Sequence, residues 1–303
     1  MLLVGDLGGT NLRLGIWHQG RLSAVRRFEV AAVPSLESAV GQYLAQSPQS
    51  PSRACIGVAG PLQGNRCDHT NAGWAVDGDR VAAETDLESV LLINDFHAAA
   101  KGTLLLDGDT DCIPLGGRLG EGTRVVLGAG TGLGVAIVDS GHVISGEGGH
   151  QDFAPRGALQ VDLLLWLTER LGRVSFEQVC SGPGLLNIHR FLSTRATAFP
   201  AQSPEQVAAN AATCPVAREA LETFADIYGS FAGDLALLTG ATGGVWLAGG
   251  IAAKLQDVLQ SRFRAAFEDK PPREHLLRPI GIRLITHPEP GLLGAGAVLS
   301  ERL

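Results

Sequence analysis

Two adjacent polar residues, Asn94 and Asp95, are the clearest candidates for chemistry in this chain. They follow an apolar run, residues 90–93, whose length and β-branched ends predict a strand buried on both faces. Ligands of open α/β sheets bind at the carboxyl ends of the strands, so we expect the pair to lie at a ligand site. Asp95, ionised at neutral pH, is then a candidate base for a hydroxyl proton. The alternative is that the pair only turns the chain and caps a helix beginning near Phe96.

A second set of polar side chains lies in residues 145–152, SGEGGHQD. Glycines on both sides of Glu147 predict a loop rather than a helix, and His150 follows three residues later. One Glu and one His fall short of the three protein ligands of a zinc site, but a carboxylate and an imidazole suit neighbouring sugar hydroxyls. The alternative is that His150 packs against the loop while Glu147 is solvated.

Two glycine-rich turns, residues 5–11 (GDLGGTN) and 128–134 (GAGTGLG), each join two predicted strands. The first has neither the lysine of a P-loop nor the G-x-G-x-x-G spacing of a dinucleotide fold. Its backbone amides and the Thr10 hydroxyl could instead wrap phosphate oxygens, and Asp6 could hold a hydrated Mg²⁺ nearby. An ordinary glycine hairpin is the alternative.

The two turns also resemble each other when the sequence is shifted by 121 residues. The positions that match are Gly9, Thr10, Leu12, Ile16 and Gly20 on Gly130, Thr131, Leu133, Ile137 and Gly141. This pattern predicts two homologous halves. Two such hairpins can hold the phosphates of one nucleotide from opposite sides. Phosphoryl transfer needs this arrangement, because its transition state is stabilised mostly by positioning and charge.

Further along the chain, residues 243–251 (GGVWLAGGI) predict a buried strand and a turn at Gly249 and Gly250, where a flat adenine could lie. Residues 215–238 have helical spacing and predict a long core helix. Glu177 is either a local helix-end charge or another hydroxyl-binding carboxylate, and the residues alone favour the local charge.

The composition excludes several classes of function. A net charge of -7 and a pI near 5.6, without a cluster of Lys and Arg, argue against a nucleic-acid partner. No apolar run approaches the roughly 18 residues of a membrane span, so we expect no membrane partner. The five cysteines include no C-x-x-C pair and predict neither a disulfide framework nor a zinc site. With no basic leader at the N-terminus, the sequence predicts a cytoplasmic protein.

Seven motifs in a fixed order give the chain its resemblance to a known family. They are GDLGGTN at residue 5, INDF at 93, GAGTGLG at 128, GEGGHQDFAP at 146, SGPGLLN at 181, GGVWLAGGI at 243 and PGLLGAGA at 290. Together they resemble the bacterial glucokinases of the hexokinase and actin-like ATPase superfamily. The branch is the one distinct from the ROK sugar kinases, whose cysteine-rich zinc motif is missing here. One local departure is Gln151, where relatives often carry an apolar or small residue.

The resemblance implies a two-domain α/β protein with the actin-like ATPase (ribonuclease H-like) fold and an interdomain cleft. The small domain would comprise residues 1–105 plus 283–303, and the large domain residues 106–282. Relatives similar to this chain are commonly homodimers, and sugar binding closes the cleft and excludes water.

The resemblance also assigns roles to individual residues. It implies that Asp95 is the catalytic base for the 6-hydroxyl of the sugar. It also implies that Glu177 binds a sugar hydroxyl, whereas the residues alone favour a local helix-end charge. The sugar would be held by Asn94, Asp95, Glu147, His150 and Glu177. ATP would be bound by Gly5, Asp6, Gly8, Gly9, Thr10, Asn11, Gly130, Thr131, Gly132, Gly249 and Gly250. Mg²⁺ would be carried by the nucleotide and helped through water by Asp6.

The functional hypothesis is therefore ATP-dependent phosphorylation of D-glucose at its 6-hydroxyl, the first step of glycolysis. Three alternatives stay open at this point: another hexose or amino sugar as acceptor, a sugar-sensing regulator without catalysis, and an ATPase of the actin or chaperone type. Relative kcat/KM values measured for different sugars would identify the acceptor. An ATPase would not need Glu147, His150 and Glu177 arranged for a sugar.

Overall fold

The computed structural model describes residues 1–68, 70–196 and 201–302. The chain forms two compact units. The first comprises Met1–Leu106, Gly141–Ser145 and His287–Leu303, and the second comprises Asp107–Ser140 and Gly146–Thr286. Within the described ranges, no helix is both long and apolar enough to cross a membrane.

Runs of strands and helices follow one another along the chain, in the α/β class that the sequence predicts. The strands are β1 (Leu2–Leu7), β2 (Asn11–His18), β3 (Arg21–Glu29), β4 (Arg53–Val58), β5 (Arg66–Cys67), β6 (Val76–Asp77), β7 (Ser89–Asn94), β8 (Cys112–Pro114), β9 (Arg124–Ala129), β10 (Leu133–Asp139), β11 (His142–Gly146), β12 (Gly244–Ala248) and β13 (Ile282–Ile285). The helices are α1 (Leu36–Ala45), α2 (Gly78–Ala83), α3 (Asp95–Gly102), α4 (Gly157–Leu171), α5 (Gly182–Ala196), α6 (Pro204–Asn210), α7 (Pro215–Thr239), α8 (Gly250–Lys254), α9 (Gln256–Val258), α10 (Arg264–Glu268), α11 (Glu274–Leu277) and α12 (Pro290–Ser300).

The two main sheets repeat one arrangement. The first has the strand order β3-β2-β1-β4-β7, and the second has the order β11-β10-β9-β12-β13-β8. In each, an antiparallel hairpin (β1 with β2, β9 with β10) is followed by two parallel strands. The repeat thus extends beyond the two glycine turns to most of both sheets.

The two hairpins differ by one residue in their turns. Leu7 pairs with Leu12 in the first hairpin, whereas Ala129 pairs with Leu133 in the second. The second turn is therefore one residue shorter, although Leu12 and Leu133 match in sequence. This explains why the similarity between the halves begins at the turn and continues only into the strand that follows it.

The first sheet is buried on both faces. Leu3 and Leu7 of β1 belong to one apolar cluster, together with residues of α1. Leu2 and Val4 belong to another, together with residues of α3 and α12. Successive side chains of a strand point to opposite faces, so a strand covered on both sides reads as a continuous apolar run.

The core of the second unit is built around α7. Pro215 occupies its first turn and Gly240 ends it in the left-handed conformation, at φ 59°. Phe224, Tyr228 and Phe231 of α7 are buried among residues of the second sheet and of α5. The predicted long core helix is thus present, one residue longer than its predicted span.

Two sequence expectations differ from the structure. β1 extends to Leu7, so Gly5 and Asp6 lie within the strand rather than in the turn, because both pair with residues of β2 and β4. Residues 283–285, which the sequence analysis grouped with the small domain, belong to β13, and β13 pairs with β12 and β8 in the second sheet. Its four residues are all buried there.

The crossing of α3 and α12 depends on a glycine, and this generates a prediction. A Cβ at Gly294 of α12 would overlap the carbonyl oxygen of Ala98 in α3. Gly294→Ala is expected to lower the free energy of unfolding by about 2 kcal/mol, because one helix must move off the other. Urea denaturation measures the change.

The matched control is Gly41→Ala in α1, where an added Cβ meets nothing within 4 Å. This substitution is expected to raise the free energy of unfolding by roughly 0.5–1 kcal/mol, since alanine restricts the unfolded chain more than glycine does. Equal stability changes in the two variants would contradict the proposed steric cause.

Candidate active site

Asn94 and Asp95 lie where β7 ends and α3 begins. The Asn94 side-chain oxygen accepts a hydrogen bond from the His97 backbone N–H at 2.9 Å, so Asn94 caps the helix. Asp95 Oδ1 accepts from the Phe96 backbone N–H at 2.8 Å. The helix cap is therefore present, and the same contacts hold both half-buried side chains at the carboxyl end of β7, an edge strand of the first sheet. The structure confirms the helix cap, and the role of the pair at a ligand site stays a prediction.

Asp6 lies in a cluster of charges with Arg13 and Glu289, two residues that the sequence analysis missed. Arg13 is its cross-strand partner in β2, and Arg13 Nη1 lies 3.3 Å from Asp6 Oδ2. The same Nη1 lies 3.4 Å from Glu289 Oε2, just before α12. The alternation of the hairpin could have indicated Arg13, but nothing local places Glu289, which follows 276 residues later in the chain.

The charges around Asp6 change its acidity. Burial raises the pKa of Asp6 to about 6, the Arg13 guanidinium opposes this rise, and the negative charges of Asp95 and Glu289 add to it. A single carboxylate of this kind suits a Mg²⁺ that keeps its waters and its phosphate ligands. In the described part of the chain, no three His, Cys, Asp or Glu side chains converge as a direct metal site.

The turn of the first hairpin is fixed by both backbone and side-chain hydrogen bonds. The Gly8 N–H donates to the Asn11 carbonyl at 3.0 Å, and the Asn11 side-chain amide donates to Thr10 Oγ1 at 2.9 Å. The Asn71 carbonyl lies behind Gly9, and the Asn71 N–H donates to the Ala59 carbonyl at 2.7 Å. Gly9 and Thr10 are exposed, so the tip of the turn is accessible to a ligand.

The turn of the second hairpin makes hydrogen bonds within itself, with the start of α5 and with Glu177. The Gly130 N–H donates to the Gly132 carbonyl at 2.9 Å, and the Gly130 carbonyl accepts from the Gly182 N–H, where α5 begins, at 2.8 Å. The Leu133 N–H donates to Glu177 Oε2 at 2.9 Å. The second turn therefore touches a carboxylate that the sequence alone assigned to a local helix end.

The second unit brings Glu147, His150 and Glu177 together. His150 Nε2 lies 3.9 Å from Glu147 Oε2 and 3.9 Å from Glu177 Oε1. The side chain of Glu147 is 85% exposed and that of Glu177 31% exposed, so the group opens to solvent from its Glu147 side. At this spacing the two carboxylates can accept hydrogen bonds from sugar hydroxyls, and the imidazole can donate to or accept from them.

Residues 148–150 form a single 3-10 turn, which lies on β10. A Cβ at Gly149 would overlap the Leu133 carbonyl, so a glycine is required for this close approach. The sequence analysis excluded an α-helix here, and the glycines do produce a tight turn instead. The turn points His150 toward Glu177.

Arg173 anchors the same loop and was not found from the sequence. Its guanidinium donates to the His150 carbonyl and to Asp152 Oδ1, both at 2.6 Å. The Phe176 N–H donates to the Gln151 carbonyl at 2.9 Å. Gln151 thus contributes its backbone, and its exposed side chain leaves the residue type at this position unconstrained.

Gly249 and Gly250 lie where β12 passes into α8, and both are exposed. Gly249 has φ 94°, a conformation that side chains rarely adopt, so the sharp exit from the strand requires glycine. The structure thus confirms the predicted strand and glycine turn. It places Gly249 and Gly250 in the same unit as Gly130, Thr131 and Gly132.

Known proteins similar to this chain are similar over its whole length. The family model described as Glucokinase matches residues 3–302. A glucokinase of Tolumonas auensis is 41% identical, with 100% of this chain and 98% of the relative covered. The crystal structure of a glucokinase from an Antarctic psychrotroph is similar with a TM-score of 0.89 and 31% identity, covering 99% of this chain and 98% of that one.

The fold is shared more widely than the family. A ROK family glucokinase from Streptomyces griseus, solved with glucose and AMPPNP, is similar with a TM-score of 0.67 at 19% identity and covers 98% of each chain. At that identity the likeness concerns the fold alone. The predicted α/β class is confirmed, and its two mixed sheets are consistent with the actin-like ATPase fold.

The Asp6 cluster generates a prediction for its protonation. Arg13→Leu removes the positive charge beside Asp6, and the pKa of Asp6 is expected to rise above about 6, because Glu289 and Asp95 still repel its anion. A pH titration of the Asp carboxyl carbons by NMR measures it. Arg21→Leu, at the exposed first residue of β3, is the control and should leave the pKa of Asp6 in place. A lower or unchanged value in Arg13→Leu would refute the electrostatic assignment.

Proposed function

Because the chain belongs to the glucokinase family, we propose that it transfers the γ-phosphoryl group of ATP to the 6-hydroxyl of D-glucose, forming glucose 6-phosphate and ADP in the first step of glycolysis. The observation that supports a sugar acceptor most directly is the convergence of Glu147, His150 and Glu177. An ATPase that transfers phosphate to water has no use for such a group.

Asp95 is proposed as the general base. Asp95 is the first residue of α3, and its Oδ1 accepts from the Phe96 N–H, so the carboxylate is held at the end of β7. An ionised carboxylate accepts the proton of the 6-hydroxyl as the oxygen attacks the γ-phosphorus. Asn94 uses its side-chain oxygen for the cap, which leaves the NH₂ of the same side chain to donate to a sugar oxygen.

The remaining hydroxyls of the sugar are assigned to Glu147, His150 and Glu177. Each hydroxyl donates one hydrogen bond and accepts others, so alternating carboxylates and imidazole satisfy adjacent hydroxyls. Arg173 acts as a positioning residue, because it holds the His150 backbone and the Asp152 side chain without being part of the convergent group.

The nucleotide phosphates are assigned to the two glycine turns, residues 8–11 and 130–132, and the adenosine to Gly249 and Gly250. The exposed Gly9 and Thr10 support this, because backbone amides and a hydroxyl in a tight turn bind phosphate oxygens. Mg²⁺ bound with ATP would supply charge neutralisation at the β- and γ-phosphates. Asp6 is the residue proposed to orient its water ligands.

The proposal has three further parts that follow the family resemblance: an interdomain cleft in which the two substrates meet, a homodimeric assembly and a cytoplasmic location. The five cysteines, all among the described residues, form no disulfide, and four of them are buried, which is compatible with a reducing compartment.

The catalytic role of Asp95 is tested with Asp95→Asn. The variant is expected to bind glucose, because Asn keeps the oxygen that accepts from the Phe96 N–H, yet to lose at least 99% of kcat, since an amide accepts no proton. ADP release from Mg-ATP, measured with and without D-glucose, reports turnover, and calorimetry reports sugar binding.

Asp79→Asn, in the first turn of α2 in the same unit, is the control and should retain wild-type activity. Normal turnover in Asp95→Asn would refute the assignment of the base. ADP release by the wild type without sugar would favour an ATPase, and glucose binding without ADP release would favour a sugar sensor.

Arg173→Ala tests the positioning of residues 147–152, called the sugar loop from here on. Without the guanidinium, the loop holding His150 is less restrained, and KM for glucose is expected to rise about tenfold while kcat changes less than twofold. Steady-state kinetics at saturating ATP separate the two constants. Arg195→Ala removes a comparably exposed ion pair with Asp162 and should change neither. A fall in kcat at unchanged KM would contradict a role in sugar binding.

A further inference from the structure

The carboxylate of Glu177 makes contacts toward two different parts of the second unit. Its Oε2 accepts a hydrogen bond from the Leu133 backbone N–H at 2.9 Å, at the end of the second glycine turn. Its Oε1 lies 3.9 Å from His150 Nε2 in the sugar loop. One side chain thus connects the turn assigned to phosphates with the loop assigned to sugar hydroxyls.

Gly132, the residue before Leu133, leaves the space that this carboxylate occupies. A Cβ at Gly132 would lie 2.5 Å from Glu177 Oε2 and 3.4 Å from its carboxyl carbon. The φ of Gly132 lies outside the left-handed region, so its backbone conformation does not require glycine. The steric demand at this position comes from the Glu177 carboxylate.

Gly130 offers a direct contrast within the same turn. Its backbone also lies outside the left-handed region, but a Cβ there would meet nothing within 4 Å. A methyl group at Gly132 would therefore displace Glu177, whereas a methyl group at Gly130 would not.

We propose that Gly132 and the Leu133 N–H are positioning groups for the sugar site: they fix the Glu177 carboxylate at the place from which it binds a hydroxyl of the acceptor. The inference rests on the proposed function and extends it to a turn whose sequence indicates only phosphate binding. The hydrogen bond orients one carboxylate oxygen, and the absence of a side chain at Gly132 allows it to form. The other oxygen is left directed toward His150 and the sugar.

A substitution in the glycine turn should therefore weaken sugar binding even when no nucleotide is present. Glucose binding is measured by isothermal titration calorimetry on the full chain without ATP. The Kd of Gly132→Ala is expected to rise about tenfold, whereas that of Gly130→Ala should stay within twofold of the wild type. A rise of the same size in both variants would overturn the proposal, because it would indicate a general effect on the turn.

A double-mutant cycle with Glu177→Asp identifies the side chain that carries the effect. The shorter Asp carboxylate withdraws from the added methyl group, so Gly132→Ala should change the Kd less than twofold when combined with Glu177→Asp. A tenfold loss that persists in this background would overturn the proposal, since the methyl would then act through something else.

Folding is checked by the thermal unfolding midpoint of each variant. Should Gly132→Ala fail to fold alone, the double variant is expected to fold, because its shorter side chain clears the methyl; a double variant that also fails would overturn the steric assignment. Absence of glucose binding by the wild type would refute the proposed function and this inference together. Glucose binding by the wild type that Gly132→Ala matches would refute only the inference.

Discussion

The burial of the first sheet on both faces constrains everything else in the first unit. Its central strands carry apolar side chains in both directions, so polar groups are tolerated only where a strand ends or where a charge finds a partner. Asn94 and Asp95 occupy such an end, and their helix cap satisfies the first N–H groups of α3. The same contacts that terminate the strand also fix the side chains proposed to handle the hydroxyl proton.

Asp6 shows the cost of placing a charge within the sheet rather than at its end. Burial raises the pKa of Asp6 to about 6, and Arg13 across the hairpin limits the rise. The carboxylate of Glu289 contacts the same guanidinium. A divalent cation near Asp6 would favour its ionised form, because the positive charge opposes the repulsion from the surrounding carboxylates. This fits the proposed contact with the waters of Mg²⁺.

In the second unit, the polar side chains of the candidate site are positioned by close backbone contacts rather than by a balance of charges. The 3-10 turn at residues 148–150 lies on Leu133, and the neighbouring Leu133 N–H holds Glu177. Arg173 ties the outer side of the same loop through two hydrogen bonds. The sugar loop is thus fixed by a strand on one side and by a guanidinium on the other. Such restraint holds the Glu177 carboxylate and the His150 backbone in one place before a ligand arrives.

The sequence by itself determined the elements and the residue types that could react. Alternation and run length indicate the strands, the glycine turns indicate the hairpins, and the polar pair after residue 93 indicates the end of a buried strand, because these signals depend on near neighbours. The ordered motifs determined the family, which the full-length relatives confirm.

Only the tertiary structure decided which distant residues meet. Glu177 lies 44 residues from its partner Leu133, and Arg173 lies 23 residues from the carbonyl it holds. Such contacts depend on how strands and helices pack, and packing leaves no local period in the sequence. For this reason Glu177 reads as a helix-end charge in isolation, while in the folded chain it joins a glycine turn to the sugar loop.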